Sequence, residues 1–532
     1  MQEQPSSESK ESAGKPIWIF VLASVAIAAL ICLSLVIVAT ILFRPDEALS
    51  TVAAQLQVDD VTPTELPNEP TIIVESTPVA PEAIDQPPTP QVQTLLTPQA
   101  GGRSIGDPYA PELGNTGYDV QHYLLQLALD PAVDQIQGAA TIQALATIQG
   151  LSELALDFAG FEVVSVAVDG LAAGFERAGK KLVISLPEPL PAGDEFTLTI
   201  TYRGQPLIEP SAYVGFVDHL GLTFPDGLTI YALAEPDGAR YWFPANDHPR
   251  DKALFRFEIV VPQGLIAAAN GRLVESRAGA MPGGQPGQLF IWDHSYPMAP
   301  YLATVAVGEY ERLDDSSPAG VPIRHYTFPE AREDVQAATS DIGQALDWMA
   351  ELFGPYPFET FGYVTARVPG GSLETQTLVI LSDAMIGKRT AVHELAHMWF
   401  GDWVSLDSWG EMWRNEGFAT YVQLMWETRD DPEELELQMA AIESVVEGND
   451  KSYPLHNPPP EYLFELNVYY QGAMAIHALR QEVGDEAFFG GLRTYFERYG
   501  GGVASDAEFR AVMEESAGRS LEAYFNNWFP GS

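Results

Sequence analysis

Two histidines and one glutamate within HELAHMWFGDWVSLDSWGEMWRNEGFATY, residues 393–421, have the types and spacing of a metal site. On a helix, His393 and His397 project from one face about one turn apart, so both imidazoles can reach one ion. Glu394 lies between them, and its carboxylate can reach a water on that ion without being a ligand. Glu416, in a second predicted helix, supplies a third ligand and leaves a fourth position to water. The pattern predicts one catalytic zinc ion per chain.

Chance and packing are the competing interpretations of this stretch. A His-Glu-x-x-His pattern also arises by chance in a long chain that contains histidines. Met398, Trp399 and Phe400 are better explained as helical core residues than as participants in chemistry. The Asn-Glu-Gly at the expected distance after His397 nevertheless favours a catalytic site over both alternatives.

The composition limits the classes of protein that this chain can belong to. At 532 residues it is too long for one ordinary core, so several domains are expected. The net charge of -45 would repel phosphate backbones, which excludes nucleic acid as a partner. The only cysteine, Cys32, lies in an apolar stretch near the start of the chain, which argues against a cysteine nucleophile or cysteine-ligated zinc.

The first hundred residues indicate a membrane protein. Residues 16–43 carry no charge and would span roughly 42 Å as a helix, enough for an uncleaved transmembrane anchor. Lys10 and Lys15 precede this segment, so residues 1–15 are expected in the cytoplasm and everything after the anchor outside it. Residues 44–114 contain twelve prolines and no lysine, which predicts a disordered linker.

The apolar pattern then changes from strands to helices. Alternation in FTLTITY at 196–202 and LFRFEIVV at 254–261 predicts strands of a mainly antiparallel β region, and Asn270-Gly271 predicts a hairpin turn. Three-and-four spacing from Val335 to Phe353 predicts one amphipathic helix. Further helices are predicted at residues 388–400, 415–428, 434–447, 470–482 and 505–516, and a strand at 377–381.

HELAHMWFGDW and WGEMWRNEGFATY resemble the aminopeptidase N-like family of zinc metallopeptidases, the gluzincins. The resemblance extends from about residue 115 to 530 and includes YWFPANDHPRDKA and FGPYPFETFGYV. It implies an α+β multidomain chain, with an antiparallel β-saddle at 115–312 and a mainly α, thermolysin-like domain at 313–532. Since the chain ends soon after EAYFNNWFPGS, we expect a short form that lacks the C-terminal helical domain of larger relatives.

The resemblance also implies substrate-binding residues. The family's exopeptidase motif, typically Gly-x-Met-Glu-Asn, is similar to Gly371-Ser372-Leu373-Glu374-Thr375 here, with leucine and threonine as departures. It implies that Gly371 and Glu374 bind substrate and that the Glu374 carboxylate holds the free α-ammonium. Glu235, in AEPDGAR, resembles the β-domain residue that adds a second contact to the amine, although an exposed salt bridge is an alternative.

One tyrosine completes the set that the resemblance implies. Tyr469-Tyr470-Gln471-Gly472 resembles the family's Tyr-x-Lys-Gly, with glutamine in place of the usual lysine. Tyr469 is the expected donor to the developing oxyanion, and Tyr470 is the competing candidate.

Together these features predict a membrane-anchored zinc aminopeptidase that acts on peptides with a free N-terminus. A zinc-activated water would attack the first peptide bond, with Glu394 as general base. Two alternatives remain: a zinc endopeptidase or other gluzincin hydrolase, and a non-catalytic surface binding protein.

Overall fold

The computed structural model describes residues 96–449 and 453–530. The chain separates into two units, Met1–Pro90 and Gln91–Ser532, and all described residues belong to the second. The predicted tail 1–15, anchor 16–43 and linker residues 44–95 lie outside the described residues. Within the part of the chain that is described, no helix has the length and apolar character needed to cross a membrane.

Strands dominate the chain up to about residue 327. The strands of the described residues are β1 (Gln99–Ala100), β2 (Tyr118–Asp130), β3 (Gln135–Ala146), β4 (Leu151–Asp157), β5 (Glu162–Val168), β6 (Leu171–Ala172), β7 (Gly174–Ala178), β8 (Lys181–Leu190), β9 (Glu195–Gly204), β10 (Gly221–Thr223), β11 (Ile230–Leu233), β12 (Ala253–Pro262), β13 (Ile266–Ala269), β14 (Arg272–Ala280), β15 (Pro286–Met298), β16 (Val305–Gly308), β17 (Glu311–Ser316), β18 (Pro322–Thr327), β19 (Tyr363–Ala366), β20 (Val379–Ser382), β21 (Ser405–Leu406) and β22 (Val503–Ala504).

These strands form one large sheet and several smaller ones. The large sheet has the order β14-β15-β12-β2-β3-β9-β5-β6, and its pairs are antiparallel apart from β12 with β2. Three four-stranded sheets have the orders β1-β4-β8-β7, β10-β11-β16-β13 and β17-β18-β19-β20, and β21 pairs with β22. The prediction of a mainly antiparallel β region is confirmed.

Alternation of side chains explains why the central strands form. In β9 every second residue is buried, as predicted from FTLTITY. In β12 Phe255, Phe257, Ile259 and Val261 are buried, while Arg256, Glu258 and Val260 are half-buried and Leu254 is exposed on the other face. One face of each strand therefore packs into the core, and the polar residues cover the other.

The hairpin predicted at Asn270-Gly271 is wrong. β13 pairs with β16, whereas β14 pairs with β15, so the turn passes the chain from one sheet to another. The Asn270 side chain donates to the backbone oxygens of Leu302 and Gln376, which holds the turn to neighbouring segments. A two-residue turn signal identifies a reversal of direction, but it does not identify the strand that each arm pairs with.

The prediction of a disordered linker is wrong for its last part, because residues 96–114 are folded. β1 pairs with β4, and Ala110 and Leu113 are fully buried in the core. Asp107, also fully buried, accepts hydrogen bonds from Ser408 Oγ and the Trp409 amide, and it contacts the His248 imidazole. Proline content alone did not reveal these contacts with distant segments.

Helices dominate the chain after β18. The α-helices of the described residues are α1 (Arg332–Ala338), α2 (Ile342–Phe353), α3 (Lys388–Ala396), α4 (Trp413–Glu427), α5 (Pro432–Glu447), α6 (Leu466–Val483), α7 (Asp485–Tyr499), α8 (Asp506–Ala517) and α9 (Glu522–Trp528). The predicted helices after residue 388 correspond to α3, α4, α5, α6 and α8. Sequence reasoning missed α7 and α9.

The single helix predicted from 335 to 353 is two helices. α1 ends at Ala338 and α2 begins at Ile342. The Thr339 amide and hydroxyl both donate to the Val335 carbonyl oxygen, at 2.9 Å and 2.8 Å, which closes the end of α1. The apolar spacing continues across the break because both helices pack on the same core.

Close packing of α4 on α6 sets the geometry of the helical region. A Cβ on Gly417 would lie 2.8 Å from the Gly472 backbone carbon, so the two helices approach at a distance that larger residues would prevent. α4 is buried on nearly all sides, which explains its lack of a clear polar face. The crossing places Glu416, next to Gly417, close to Tyr469, one turn before Gly472.

Candidate active site

Side-chain atoms of His393, His397 and Glu416 form a small triangle. The His393 Nε2 lies 3.1 Å from the Glu416 Oε2 and 3.3 Å from the His397 Nε2, and the third edge, from the His397 Nε2 to the Glu416 Oε2, is 3.6 Å. His393 is on α3, His397 follows the last residue of α3 with helical dihedrals, and Glu416 is in the first turn of α4. The two helices thus bring together the three predicted ligands.

The dimensions and chemistry of this triangle fit zinc. Ligands about 2.0–2.1 Å from a tetrahedral zinc lie roughly 3.3–3.4 Å from one another, which is the size of the observed triangle. Two imidazole nitrogens and one carboxylate oxygen are also a donor set that zinc accepts in catalytic sites. These three residues would therefore hold the ion.

Neighbouring groups orient the ligands. The His397 Nδ1 lies 3.1 Å from the Phe400 carbonyl oxygen, which can only accept, so Nδ1 carries a proton and Nε2 is the nitrogen that would bind the ion. The Phe400 ring stacks on Phe418 of α4 with centroids 4.2 Å apart. The same short segment therefore fixes the imidazole and ties the end of α3 to α4.

The triangle is strongly polarised. Burial opposes ionisation of Glu416, but His397 and His393 outweigh it and lower the pKa of this carboxyl to about 2. Burial would also lower the pKa of His397, yet Glu374 and Glu416 raise it well above its ordinary value. The carboxyl groups of Glu235, Glu374, Glu394 and Glu416 thus lie around two imidazoles, and a cation would stabilise their ionised forms.

Glu394, the predicted general base, and Tyr469, the predicted oxyanion donor, lie beside the triangle. Carboxylate oxygens of Glu394 and Glu374 and a ring nitrogen of His397 lie within 4.8 Å of one another. Burial raises the pKa of Glu394 well above its ordinary value. The Tyr469 ring lies nearly parallel to the His393 imidazole, with centroids 5.9 Å apart.

Glu235 and Glu374 form a second acidic group next to the triangle. One carboxylate oxygen from each lies within 4.8 Å of a Glu416 oxygen. Both side chains are buried, at 6% and 2% exposure, and the Oε1 of each meets no hydrogen-bond donor among the described residues. Burial raises the pKa of both carboxyls. The exposed salt bridge considered for Glu235 is not observed, since the residue is buried.

All eight predicted site residues line one cavity of about 310 Å³. A neighbouring cavity of about 620 Å³ runs toward α5. His393 and Tyr469 line both cavities, whereas Tyr470 lines only the second. The metal triangle therefore stands where two cavities meet.

Sequence reasoning missed several residues of this region. Both carboxylate oxygens of Asp402 are buried and meet no donor among the described residues. Its position shortly after the histidine motif could have indicated that it lies near the site. Arg389 lines both cavities, and its position four residues before His393 on α3 indicated a shared face. Phe216 and Met385 line the first cavity, but no motif surrounds them.

The chain has a β-rich region followed by a helical region. Two histidines and a glutamate from crossing helices surround one ion site. Together these features define a gluzincin-type metallopeptidase. Comparison with known proteins agrees with this class. Residues 119–302 match the peptidase M1 N-terminal domain, and residues 346–528 match the peptidase family M1 domain.

Solved structures and curated sequences extend the match. An M1 zinc metallopeptidase from Deinococcus radiodurans superimposes with a TM-score of 0.73 at 30% identity, covering 80% of this chain and 96% of that one. Aminopeptidase M1 from Arabidopsis thaliana is 27% identical over 55% of this chain and 36% of its own length. Aminopeptidase N from Streptomyces lividans is 25% identical over 57% of this chain and 38% of its own length.

The chain belongs to the M1 family of zinc metallopeptidases and is an aminopeptidase N-like gluzincin. It spans between a third and a half of the length of three curated relatives that it matches.

Proposed function

We propose that this chain is a zinc aminopeptidase that hydrolyses the first peptide bond of peptides with a free N-terminus. The observation that carries the proposal is the pair of buried carboxylates of Glu235 and Glu374 beside the metal triangle, each with one oxygen that meets no hydrogen-bond donor among the described residues. A buried carboxylate without a donor is costly, and an α-ammonium supplies both the missing donors and the opposite charge.

The proposed chemistry divides among the residues around the triangle. Held by His393, His397 and Glu416, zinc would act as a Lewis acid that lowers the pKa of water to about 7. Glu394 takes the proton of the attacking water and returns it to the leaving amine. Burial raises the pKa of Glu394, which makes its ionised form a stronger base for the proton of the water.

Tyr469 donates a hydrogen bond to the carbonyl oxygen as negative charge develops there. Burial raises the pKa of its phenol well above the ordinary value, so the hydroxyl keeps its proton at neutral pH. Its place beside His393 supports Tyr469 over Tyr470, which lines the second cavity alone.

Glu374 and Glu235 set the position of the cut. With the α-ammonium held by these two carboxylates, only the first carbonyl of a peptide reaches the triangle. An endopeptidase would have to place a neutral amide and further chain against the same two acids, which would leave them without a charged partner. The rest of the peptide, which leaves after cleavage, occupies the second cavity toward α5.

The proposal includes anchoring by residues 16–43, with residues 1–15 in the cytoplasm and the hydrolase outside it. The uncharged segment, and the lysines that precede it, support this arrangement. We place the division between the saddle and the peptidase domain at residues 309–310, close to the expected 312/313. Strand β17 (Glu311–Ser316) supports the shift, because it pairs with β18 in the sheet that continues into the helical region.

The experiment that tests the proposal measures release of amino acids from aminoacyl nitroanilides by the purified full chain. Activity should disappear with a chelator and return with zinc. Glu394→Gln should lower kcat by about 10²–10⁴-fold while the zinc content stays at one ion per chain. A variant as active as the parent would refute the mechanism. Binding of peptides with no turnover would favour the surface binding protein instead.

A further inference from the structure

The cavity that holds the acidic pair is apolar on the side of that pair. Its lining includes a set of aliphatic, aromatic and thioether side chains: Val214, Phe216, Leu220, Leu233, Leu373 and Met385. Leu233 lies two residues before Glu235, and Leu373 directly precedes Glu374, so the apolar wall and the two carboxylates share the same backbone segments. An amine held by the acids would therefore project its own side chain onto this wall.

Two members of the wall are unusually open to solvent. Phe216 is 46% exposed and Met385 is 45% exposed, whereas Leu220, Leu233 and Leu373 are buried. Large apolar side chains gain free energy when a ligand removes their surface from water. The rim of the cavity is thus an apolar surface that a substrate side chain can cover.

One glycine holds the two rim residues in place. The Gly371 amide donates to the Met385 Sδ at 3.0 Å. A Cβ on Gly371 would lie 2.9 Å and 3.0 Å from two ring carbons of Phe216, so the ring rests directly on this backbone. Gly371 also has a φ of 79°, a conformation that favours glycine. The rim is therefore a built surface, and it lies three residues from Glu374.

The charges around the cavity do not favour a cationic side chain at this position. Among the described lining residues, Glu235 and Glu374 face the amine, and Glu394 and Glu416 belong to the metal centre. The remaining charged group is Arg389, whose guanidinium makes a two-pronged pair with Glu427. A lysine or arginine side chain would find apolar surface and no free carboxylate of its own.

We infer that the chain selects peptides whose first residue has a large apolar side chain, such as leucine, methionine or phenylalanine. Phe216 and Met385 are the residues that determine this specificity. The inference rests on the proposed aminopeptidase activity and adds the class of substrate to it.

The test compares nitroanilides of phenylalanine, leucine, alanine and arginine with the zinc-loaded full chain. The parent should have a kcat/KM for the phenylalanine and leucine substrates about 10–10²-fold above that for alanine. Phe216→Ala and Met385→Ala should each lower kcat/KM for the two large substrates by about tenfold and change that for alanine by less than about twofold. Ile208→Ala is the matched control, because Ile208 lies on the same β9–β10 connection, is 70% exposed and is not among the cavity-lining residues.

A binding measurement separates the inference from turnover. Free L-phenylalanine should bind the zinc-loaded parent more tightly than L-alanine, and Phe216→Ala should reduce that difference about tenfold. An active parent that cleaves alanine or arginine substrates as well as leucine, or a variant that loses activity equally on all four, would overturn the specificity alone. A parent that cleaves none of the four would overturn the aminopeptidase proposal itself.

Discussion

Asp107 and Glu374 are both buried carboxylates, but their surroundings differ. Asp107 accepts hydrogen bonds from Ser408 Oγ at 2.7 Å and from the amides of Tyr109 and Trp409, and it contacts His248 at 3.1 Å. Glu374 leaves one oxygen without a donor among the described residues. The first carboxylate joins folded segments together, and the second lies in a cavity.

The pKa values follow the same division. Burial alone would raise the pKa of Asp107, but the bonds from His248, Ser408 and the two amides lower it to about 2. Burial raises the pKa of Glu374, and the nearby His397 offsets this only in part. A saturated buried acid contributes to stability, whereas an unsaturated one at a cavity is available for a ligand. We therefore expect changes in the cleft to alter turnover and changes at Asp107 to alter stability.

Among the changes that test this comparison, the largest effect is expected at Tyr469. In Tyr469→Phe the ring remains but the donor to the developing oxyanion is lost, so kcat should fall about 10²–10³-fold. The midpoint of thermal unfolding should stay within error of the parent. Tyr470→Phe is the control, since this ring lines the second cavity alone, and its kcat should change less than about twofold. Similar losses in both variants would refute the assignment of the donor to Tyr469.

Glu374→Gln should have the next largest effect. A hydrogen bond to a charged group contributes about 1.5–3 kcal/mol, so kcat/KM for a peptide with a free amine should fall about 10–10²-fold. The rate on the N-acetylated form of the same peptide should not fall, because it has no ammonium to lose. Steady-state kinetics on the matched pair gives both numbers. An equal loss on both peptides would show that Glu374 does not hold the amine.

Asp107→Asn should lower stability and leave turnover of the folded enzyme unchanged. The native pKa of about 2 lies below the unfolded value of about 3.9, so the ionised carboxylate stabilises the native state at neutral pH by on the order of 2 kcal/mol. This contribution is complete above about pH 5 and disappears as pH falls through 2. Urea unfolding of parent and variant should therefore differ most near pH 7 and converge toward pH 2.

Asp430→Asn is the control for that measurement, because this side chain is 93% exposed. Its unfolding free energy should match that of the parent within about 0.5 kcal/mol at every pH. A difference between Asp107→Asn and the parent that does not narrow in acid would show that the charge of Asp107 is not what stabilises the fold.

The smallest effect is expected for the stability of Glu235→Gln. Burial and the nearby Glu374 raise the pKa of Glu235, so its ionised form opposes folding at pH values above the unfolded pKa. The amide should leave the unfolding free energy of the metal-free chain unchanged or raise it by less than about 1 kcal/mol at pH 7. If the variant were destabilised by more than about 1 kcal/mol, the Glu235 carboxylate would stabilise the fold, as that of Asp107 does.

Local patterns predicted the elements of the fold better than their partners. The strands β9 and β12 and the helix α3 follow from alternation and from three-and-four spacing, which act between near neighbours in the chain. The prediction of a hairpin at Asn270-Gly271 failed because β13 and β14 each pair with another strand, β16 and β15 respectively. The prediction of disorder for residues 96–114 failed for the same reason. Asp107 is held by segments that are distant in the sequence, and local composition does not reveal that they lie close in space.

The sequence by itself determined the metal motif, because four residues of helix place His393 and His397 on one face whatever surrounds them. It also predicted every residue of the acidic pair and the triangle, although it did so for Glu235 and Glu374 through family resemblance rather than spacing. Only the tertiary structure decided that each of these two carboxylates has an oxygen without a hydrogen-bond donor among the described residues, and that Phe216 and Met385 meet at Gly371. The reason is physical: burial and hydrogen-bond saturation are properties of the space around a side chain, and that space is built by segments more than a hundred residues apart.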